Sequence, residues 1–331
     1  MQTLSTDHAD PLHILQSTHA VLEQARFVHI DIQAIPHLAA ALENELVQTD
    51  THTVPGDQES DIACAVQKSF MFNVLNFCFW AERDTQIWTV EWPQDKLWRG
   101  GSYALAATLD RAEAEGYPIY DTKYLARLSL ADSRNIFRGT TDVPIPLFKD
   151  RVKNLREAGK VLCERAGGSF MNIVRAAGHD AINLIRALIV NFHSFDDCAN
   201  AYGKRVHFYK RAQICAHHIV ELSRQFPELA LCNTDELTVF ADYRLPQVYR
   251  HYEALVLLPS LARTIDSSAL IHNGSMPEVE IRSATVWIGE LVRQHFKGVY
   301  SARQIDSASW RLSQKIKNKM LPHLRVYTIF Y

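Results

Sequence analysis

The residues best suited to chemistry fall in two short blocks, FYKRAQI at 208–214 and FADYRLPQV at 240–248. The first carries Lys210 and Arg211, the second Asp242 and Arg244. Both blocks are too polar to be plain core and too rich in aromatics to be plain surface. A cation and a carboxylate held on rigid elements can work as a catalytic pair. The same residues can also be ordinary helix edges, with Asp242 and Arg244 tying a joint together. On a helix starting near His207, Phe208, Ala212, Cys215 and Ile219 make an apolar face. Lys210, Gln213 and His217 recur at intervals of three and four and so share a different face. His217 and His218 read as surface or satisfied side chains rather than metal ligands. Two further blocks carry polar groups in apolar company. EVEIR at 278–282, if extended, turns Glu278 and Glu280 the same way, which is costly unless a cation meets them, and Arg282 is the internal candidate. VLNFCFW at 74–80 sets Asn76 among Phe77, Phe79 and Trp80, where its amide needs a hydrogen-bond partner from backbone or ligand.

The elements that position these blocks are mainly helical. Residues 12–25 and 33–48 read as helices, and a polar stretch at 48–61 separates them from an apolar run at 69–80. QIWTVEW alternates with period two, as a short strand does, and the closing LRVYTIFY is its expected pairing partner. Residues 101–116 form an Ala-rich helix closed by Gly116. Phe148, Val152, Leu155, Ala158 and Leu162 step by three and four towards a stop at Gly167-Gly168. The runs 179–191, 207–224 and 246–265 read the same way. Asn233 with Glu236 matches a capping box and predicts a short helix over 234–242. Pro246 disfavours α geometry at Leu245 and suits the first turn of a following helix, which puts Asp242 at a tight helix–helix joint. The expectation is a mostly α protein, one helical domain over 1–331 with a small β-sheet and no marked linker.

Composition narrows the class. The chain has 331 residues, 47% hydrophobic and 22% charged, with a formal net charge of −2, as in a soluble globular protein. No apolar run approaches the roughly 20 residues of a membrane helix, and MQTLSTDHADPLH lacks the apolar core of a secretory signal. Cysteines 64, 78, 163, 198, 215 and 232 form no CxxC pair, which fits reduced, buried thiols and a cytoplasmic location. They supply no zinc cluster, so no metal site is expected. Without a basic face a long polyanion is not an expected partner, although one phosphate group could be held.

Together the blocks resemble the queuosine salvage protein family, enzymes that release the base queuine from queuosine 5′-monophosphate. The resemblance rests on LNFCFW (75–80), GGSYALAATLDRA (100–112), GGSFMNIV (167–174), FYKRAQI (208–214), FADYRLPQV (240–248) and EVEIR (278–282), in family order. The aromatic tail ending Phe330-Tyr331 is also similar. Departures are Gly101-Ser102-Tyr103-Ala104 where the family has Gly-Tyr-Trp-Ala, and Ser283 after EVEIR where it has Gly. In Phe192-His193-Ser194-Phe195-Asp196-Asp197 a family arginine is missing, and His52 is the candidate for a family histidine.

The resemblance implies a helical fold distantly similar to helix-hairpin-helix DNA glycosylases and hydrolysis of an N-glycosidic bond. It implies no metal or organic cofactor, a small nucleotide as the partner, and neither nucleic acid nor membrane. Asp242 is then the catalytic carboxylate. At about 4 Å from an oxocarbenium-like sugar it would supply roughly 4 kcal/mol of attraction at an effective dielectric near 20. Lys210 is assigned to catalysis with three roles open: phosphate holder, partner of Asp242, or Schiff-base nucleophile. Membership of the shared blocks makes Asn76, Phe77, Trp80, Tyr209, Arg211, Gln213, Tyr243, Arg244, Gln247, Glu280 and Arg282 the substrate-binding candidates. Among them Phe77, Trp80 or Tyr243 would wall the base, Glu280 would meet its amine, and Arg282 would serve the phosphate or pair with Glu280. A nucleosidase acting on unphosphorylated queuosine and a non-catalytic queuine binder are the other readings.

Overall fold

A computed structural model describes residues 4–47, 54–80 and 87–331. His52 lies outside the described residues, as do residues 48–53 of the polar stretch and Gln86 of QIWTVEW. Helix α1 (Ile14–Leu22), strand β1 (Val28–Ile30) and helix α2 (Ile35–Val47) come first. Helix α3 (Ile62–Leu75) is followed by the hairpin β2 (Thr89–Glu91) and β3 (Leu97–Arg99), then by α4 (Gly101–Ala114). Two short helices, α5 (Thr122–Ala126) and α6 (Leu130–Ile136), lead to α7 (Phe148–Arg165), α8 (Phe170–Ala176) and α9 (Ala181–Asn191). A second hairpin, β4 (Cys198–Ala201) and β5 (Lys204–His207), precedes α10 (Lys210–Leu222). The remaining elements are α11 (Leu245–His251), β6 (Leu255–Leu257), α12 (Pro259–Asp266), α13 (Met276–His295) and α14 (Ala302–Lys315).

The protein is mostly α, and α13 is its axis. Val279, Ile281, Ala284, Val286, Ile288 and Val292 are buried around its whole circumference, the pattern of a helix enclosed by others. It packs against α1, α2, α11 and α14. Several helices begin where a side chain satisfies the free backbone donors of the first turn. Asp61, Asp121, Ser129 and Asp180 accept such bonds, and Ser301 with Gln304 forms a full capping box. No described helix is long and apolar enough to cross a membrane. Of the six thiols, Cys78 and Cys215 are fully buried, while Cys232 is exposed.

Several sequence expectations change. The described β structure is three two-stranded ladders rather than one sheet. Thr89–Glu91 pairs with Leu97–Arg99 across a short loop and not with the closing LRVYTIFY. Arg325 of that tail makes only an isolated bridge to Leu270, and Tyr331 offers its carbonyl to Cys78 N at 2.9 Å. Residues 246–265 divide into α11, β6 and α12, because Leu255–Leu257 pairs antiparallel with Val28–Ile30 and Pro259 restarts the helix. Tyr209 adopts a left-handed φ of 49°, so the helix expected from 207 begins at Lys210, and His207 belongs to β5. EVEIR is helical within α13, so Glu278 and Glu280 diverge and Glu278 faces Arg282 one turn on.

The predicted helix over 234–242 shrinks to one 3-10 turn at Thr234–Glu236. Asn233 does not cap it; its amide donates to Asp180 Oδ2 at 2.6 Å instead. Beyond the turn Leu237, Thr238, Val239, Phe240 and Ala241 run through the interior as buried, irregular backbone. β-Branched and aromatic side chains there give little helix propensity, and side chains supply the missing bonds. Thr238 N donates to Gln213 Oε1 at 2.9 Å, and Phe240 N to Asp306 Oδ1 at 2.7 Å.

Gly289 lets α13 lie against this segment. A Cβ at Gly289 would stand 2.4 Å from Val239 Cγ1. Gly289→Ala is expected to cost about 1–3 kcal/mol in denaturant unfolding, the usual penalty of overpacking.

Candidate active site

The 237–244 segment passes along a cavity of about 980 Å³. The C-terminal end of α3, the start of α4, one face of α10, one face of α14 and the terminal tail make its other walls. Asp242 enters at the joint before α11. Its Oδ1 accepts from Arg244 N at 2.7 Å and Leu245 N at 3.0 Å, so the carboxylate caps α11. That helix begins at Leu245 with Pro246 second, so Leu245 is helical despite the proline after it. Its Oδ2 meets no donor among the described residues. Only 9% of the residue is exposed, so one oxygen is fixed and the other is open to the cavity.

Lys210, the first residue of α10, faces the same space and is 6% exposed. Its backbone N–H donates to Asp197 Oδ2 at 3.1 Å. No hydrogen bond or ion pair engages its ammonium among the described residues. Burial pushes its pKa down, and the charges of Asp242 and Asp306 push back. Lys210 and Asp242 therefore sense each other across the cavity without forming a contact pair.

Asp306, on α14, is a further carboxyl of the cavity wall and was not among the sequence candidates. It lies on the buried stripe of its helix with Ala302, Ile305, Ser309 and Leu312. Burial, and after it the like charge of Asp242, hold its carboxyl well above the usual range. A carboxylate on the apolar stripe of DSASWRLSQ was the signal that could have found it.

The structure brings Asn76, Phe77, Trp80, Tyr243 and Arg244 to the cavity together with Lys210 and Asp242. Asn76 lies at the C-cap of α3 rather than inside the helix. Aromatic rings make much of the wall. Trp80 stacks on Tyr327 at 4.6 Å, and Tyr243 lies 4.7 Å from His323. Trp98 stacks on Tyr103 at 5.7 Å, with Trp310 6.2 Å from Tyr103. His217 and His218 line the α10 face and have partners: Arg303 for His217, and Asn73 for His218. Tyr103, Trp310 and the histidines became visible as wall residues only in three dimensions.

The other candidates hold the site from behind. Arg211 is enclosed and donates to the carbonyls of Asn73, Val74 and Ser194, which pins the end of α3 to α10. Gln213 bonds Phe208 O and Thr238. Tyr209 bonds His207 Nδ1 at 2.7 Å, and Gln247 donates to Leu321 O at 2.7 Å. Glu280 does not reach the cavity: it accepts from Arg26 N, Phe27 N and the Tyr202 hydroxyl. Helical geometry sends it to the β1 side, away from Arg282. Arg282 is likewise committed, giving two bonds to Asp197, at 2.9 and 2.6 Å, and one to Ala241 O at 3.1 Å. Neither a substrate amine for Glu280 nor a phosphate for Arg282 fits these placements.

The chain has close counterparts among known proteins. A model of the family described as queuosine salvage protein matches residues 57–331. A protein of Sphaerobacter thermophilus named queuosine 5′-phosphate N-glycosylase/hydrolase is 35% identical over 328 residues, covering 98% of this chain and 99% of its own. A mouse (Mus musculus) protein of that name is 33% identical over 97% of this chain and 99% of its own length. One from cattle (Bos taurus) is 37% identical over 69% and 67% respectively.

Because Arg282 braces both the Lys210 and the Asp242 segments, its loss is expected to be costly. Arg282→Met leaves Asp197 charged and unpaired in the interior, which should lower unfolding free energy by about 3–5 kcal/mol. The double change Arg282→Met with Asp197→Leu should recover part of that loss in the same denaturant titration, since Asp197 is then no longer stranded; Glu278, which also loses its cation, keeps the recovery partial.

Proposed function

The chain belongs to the queuosine salvage protein family, and we propose that it hydrolyses the N-glycosidic bond of queuosine 5′-monophosphate and releases queuine. The observation that carries this reading is the Asp242 carboxylate, anchored through one oxygen and open through the other in an aromatic cavity. Breaking a ribosyl C–N bond builds positive charge on the sugar, and a preorganised carboxylate stabilises that charge without reorganising. The open oxygen is also placed to orient or deprotonate the attacking water. The mostly helical frame around Asp242 supports the distant likeness to helix-hairpin-helix DNA glycosylases, and one contiguous core supports a single domain over 1–331.

Lys210 is a buried cation without a contact partner among the described residues, and it acts through charge. Its positive charge favours an anionic substrate. Hydrolysis by water needs no covalent adduct with Lys210, so the Schiff-base role is set aside. Arg244, half-buried beside Tyr243, is the cation that reaches for the 5′-phosphate; Gln247 Oε1 steadies it at 3.0 Å. Phe77, Trp80 and Tyr243 supply flat apolar surface for the deazaguanine ring. With Glu280 engaged elsewhere, Asp110 of the cavity wall is the candidate for the base's amine. The enzyme works on the free nucleotide rather than on tRNA, a reading the near-neutral net charge of −2 supports. Six free thiols support the reducing cytoplasm as the place of action.

Queuosine monophosphate, queuosine and queuosine-containing tRNA are to be incubated with the protein and free queuine measured by mass spectrometry. Release from the monophosphate is expected; binding without release from any of the three would refute hydrolysis. Asp242→Asn keeps the acceptor that caps α11 and removes the charge, so turnover should fall at least about a hundredfold. Near-normal turnover would remove Asp242 from the mechanism. Arg244→Gln should raise KM for the monophosphate by about tenfold, the size of one lost charged contact. KM for unphosphorylated queuosine should stay unchanged; an equal rise for both would assign Arg244 a structural role.

A further inference from the structure

Hydrolysis of this substrate sets a problem that Asp242 and Lys210 do not solve. A departing purine base is normally eased away by protonation at N7, but the queuine ring carries carbon at that position. The ring nitrogen left to take an in-plane proton near the breaking bond is N3, on the edge next to the sugar. An acid serving N3 must therefore stand close to the carboxylate serving C1′.

We propose that Asp306 is a second catalytic carboxyl, which stands protonated and gives its proton to the departing base while Asp242 takes a proton from the attacking water. This rests on the reading of the reaction given above. Three observations on the molecule carry it. Asp306 and Asp242 face one cavity from different elements, α14 and the joint before α11. Each has one oxygen tied to backbone N–H: Asp306 Oδ1 to Phe240, and Asp242 Oδ1 to Arg244 and Leu245. The two anchors lie within the short stretch 240–245, so the carboxyls share a single rigid frame, and each leaves Oδ2 without a donor among the described residues.

Charge assigns the roles. Asp306 is 8% exposed, receives a single backbone bond and feels the like charge of Asp242; burial and that like charge favour its neutral form. Asp242 has its Oδ1 committed to two backbone donors, which leaves its Oδ2 facing the cavity to take the water's proton. One proton on the pair together with the Lys210 cation leaves the cluster formally neutral, the arrangement a buried site tolerates best. Division of labour between two carboxyls in unlike surroundings is how glycosidic bonds are opened elsewhere.

The step balances. The C1′–N9 bond breaks, its electron pair passes to the base, and Asp306 gives its proton to N3. A water oxygen bonds to C1′, and that water's proton passes to Asp242. Queuine and ribose 5-phosphate result, and queuine moves its proton from N3 to N9 in solvent. A proton passed from Asp242 to Asp306 restores both groups.

The test uses the full-length protein and Asp306→Asn, which keeps the acceptor for Phe240 N and removes the transferable proton. Single-turnover rate and Kd are measured with queuosine monophosphate. The expected result is a rate at least about a hundredfold lower, the range of general acid catalysis, with Kd within about threefold of wild type. A second arm uses 4-nitrophenyl ribofuranoside 5-phosphate, whose leaving group departs without a proton. There Asp306→Asn should stay within about threefold of wild type while Asp242→Asn still fails. An unchanged rate on queuosine monophosphate, a loss confined to Kd, or an equal loss on both substrates would each overturn the proposal. If the nitrophenyl probe is not turned over by wild type, the split between rate and Kd decides alone. Failure of wild type itself to release queuine would instead overturn the reading of the reaction.

Discussion

Arg282 and Asp197 meet in the interior with both side chains 2% exposed, and the two halves of the cavity hang on that contact. Asp197 receives the guanidinium through both oxygens and then takes the backbone N–H of Lys210 as well. Its carbonyl accepts from Phe208 and Tyr209, the residues that turn the chain from β5 into α10. Arg282 reaches in the other direction to Ala241 O, one residue before Asp242. Phe208 and Tyr331 cover its faces at 3.9 and 4.3 Å, and Glu278 stands one turn away at 3.7 Å. One ion pair thus sets where Lys210 begins its helix and where Asp242 leaves its extended segment. A buried pair of this kind adds little net stability over an apolar substitute, and its usefulness lies in fixing geometry.

That bracing explains how three ionisable groups can remain around one cavity. Taking Lys210, Asp242 and Asp306 out of bulk water is unfavourable for each charged form, and side chains free to move would relax into contact pairs. Here the carboxyls are tied to backbone N–H groups, while α10 starts where Asp197 dictates. The ammonium of Lys210 therefore stays unpaired among the described residues, which is the preorganised charge that the proposed reaction calls for. Such an arrangement spends folding stability on function, since the irregular 237–242 backbone is held mainly by side chains of Gln213 and Asp306.

The departures from sequence expectation have a common physical origin. Periodicity located most helices, because a buried stripe every three or four residues needs no knowledge of its partner. It failed where tertiary contacts replaced local rules. Asn233 and Glu236 carry a capping-box signature, yet Asn233 bonds Asp180 instead. EVEIR alternates like a strand, but the surrounding helices bury it on every side as part of α13. Glu280 and Arg282 stand in the same block and serve different ends. Glu280 secures the backbone at Arg26 and Phe27, whereas Arg282 secures Asp197.

What the sequence determined by itself was the helical class, the family, and the pairing of an acidic block with a cationic one, since residue types and their order are local properties of the chain. Pro246 placed Asp242 just before a helix, but the helix expected on its other side is irregular backbone. Only the tertiary structure decided which members of those blocks face the cavity and which support it. Lys210, Asp242, Tyr243 and Arg244 face in, while Arg211, Gln213 and Arg282 turn back to hold the frame. It also brought Asp306 to the same cavity, across 66 positions of sequence, through a bond to Phe240 N. Neighbouring residues on a helix point in different directions, so membership of a block cannot say which ones look inward; packing does.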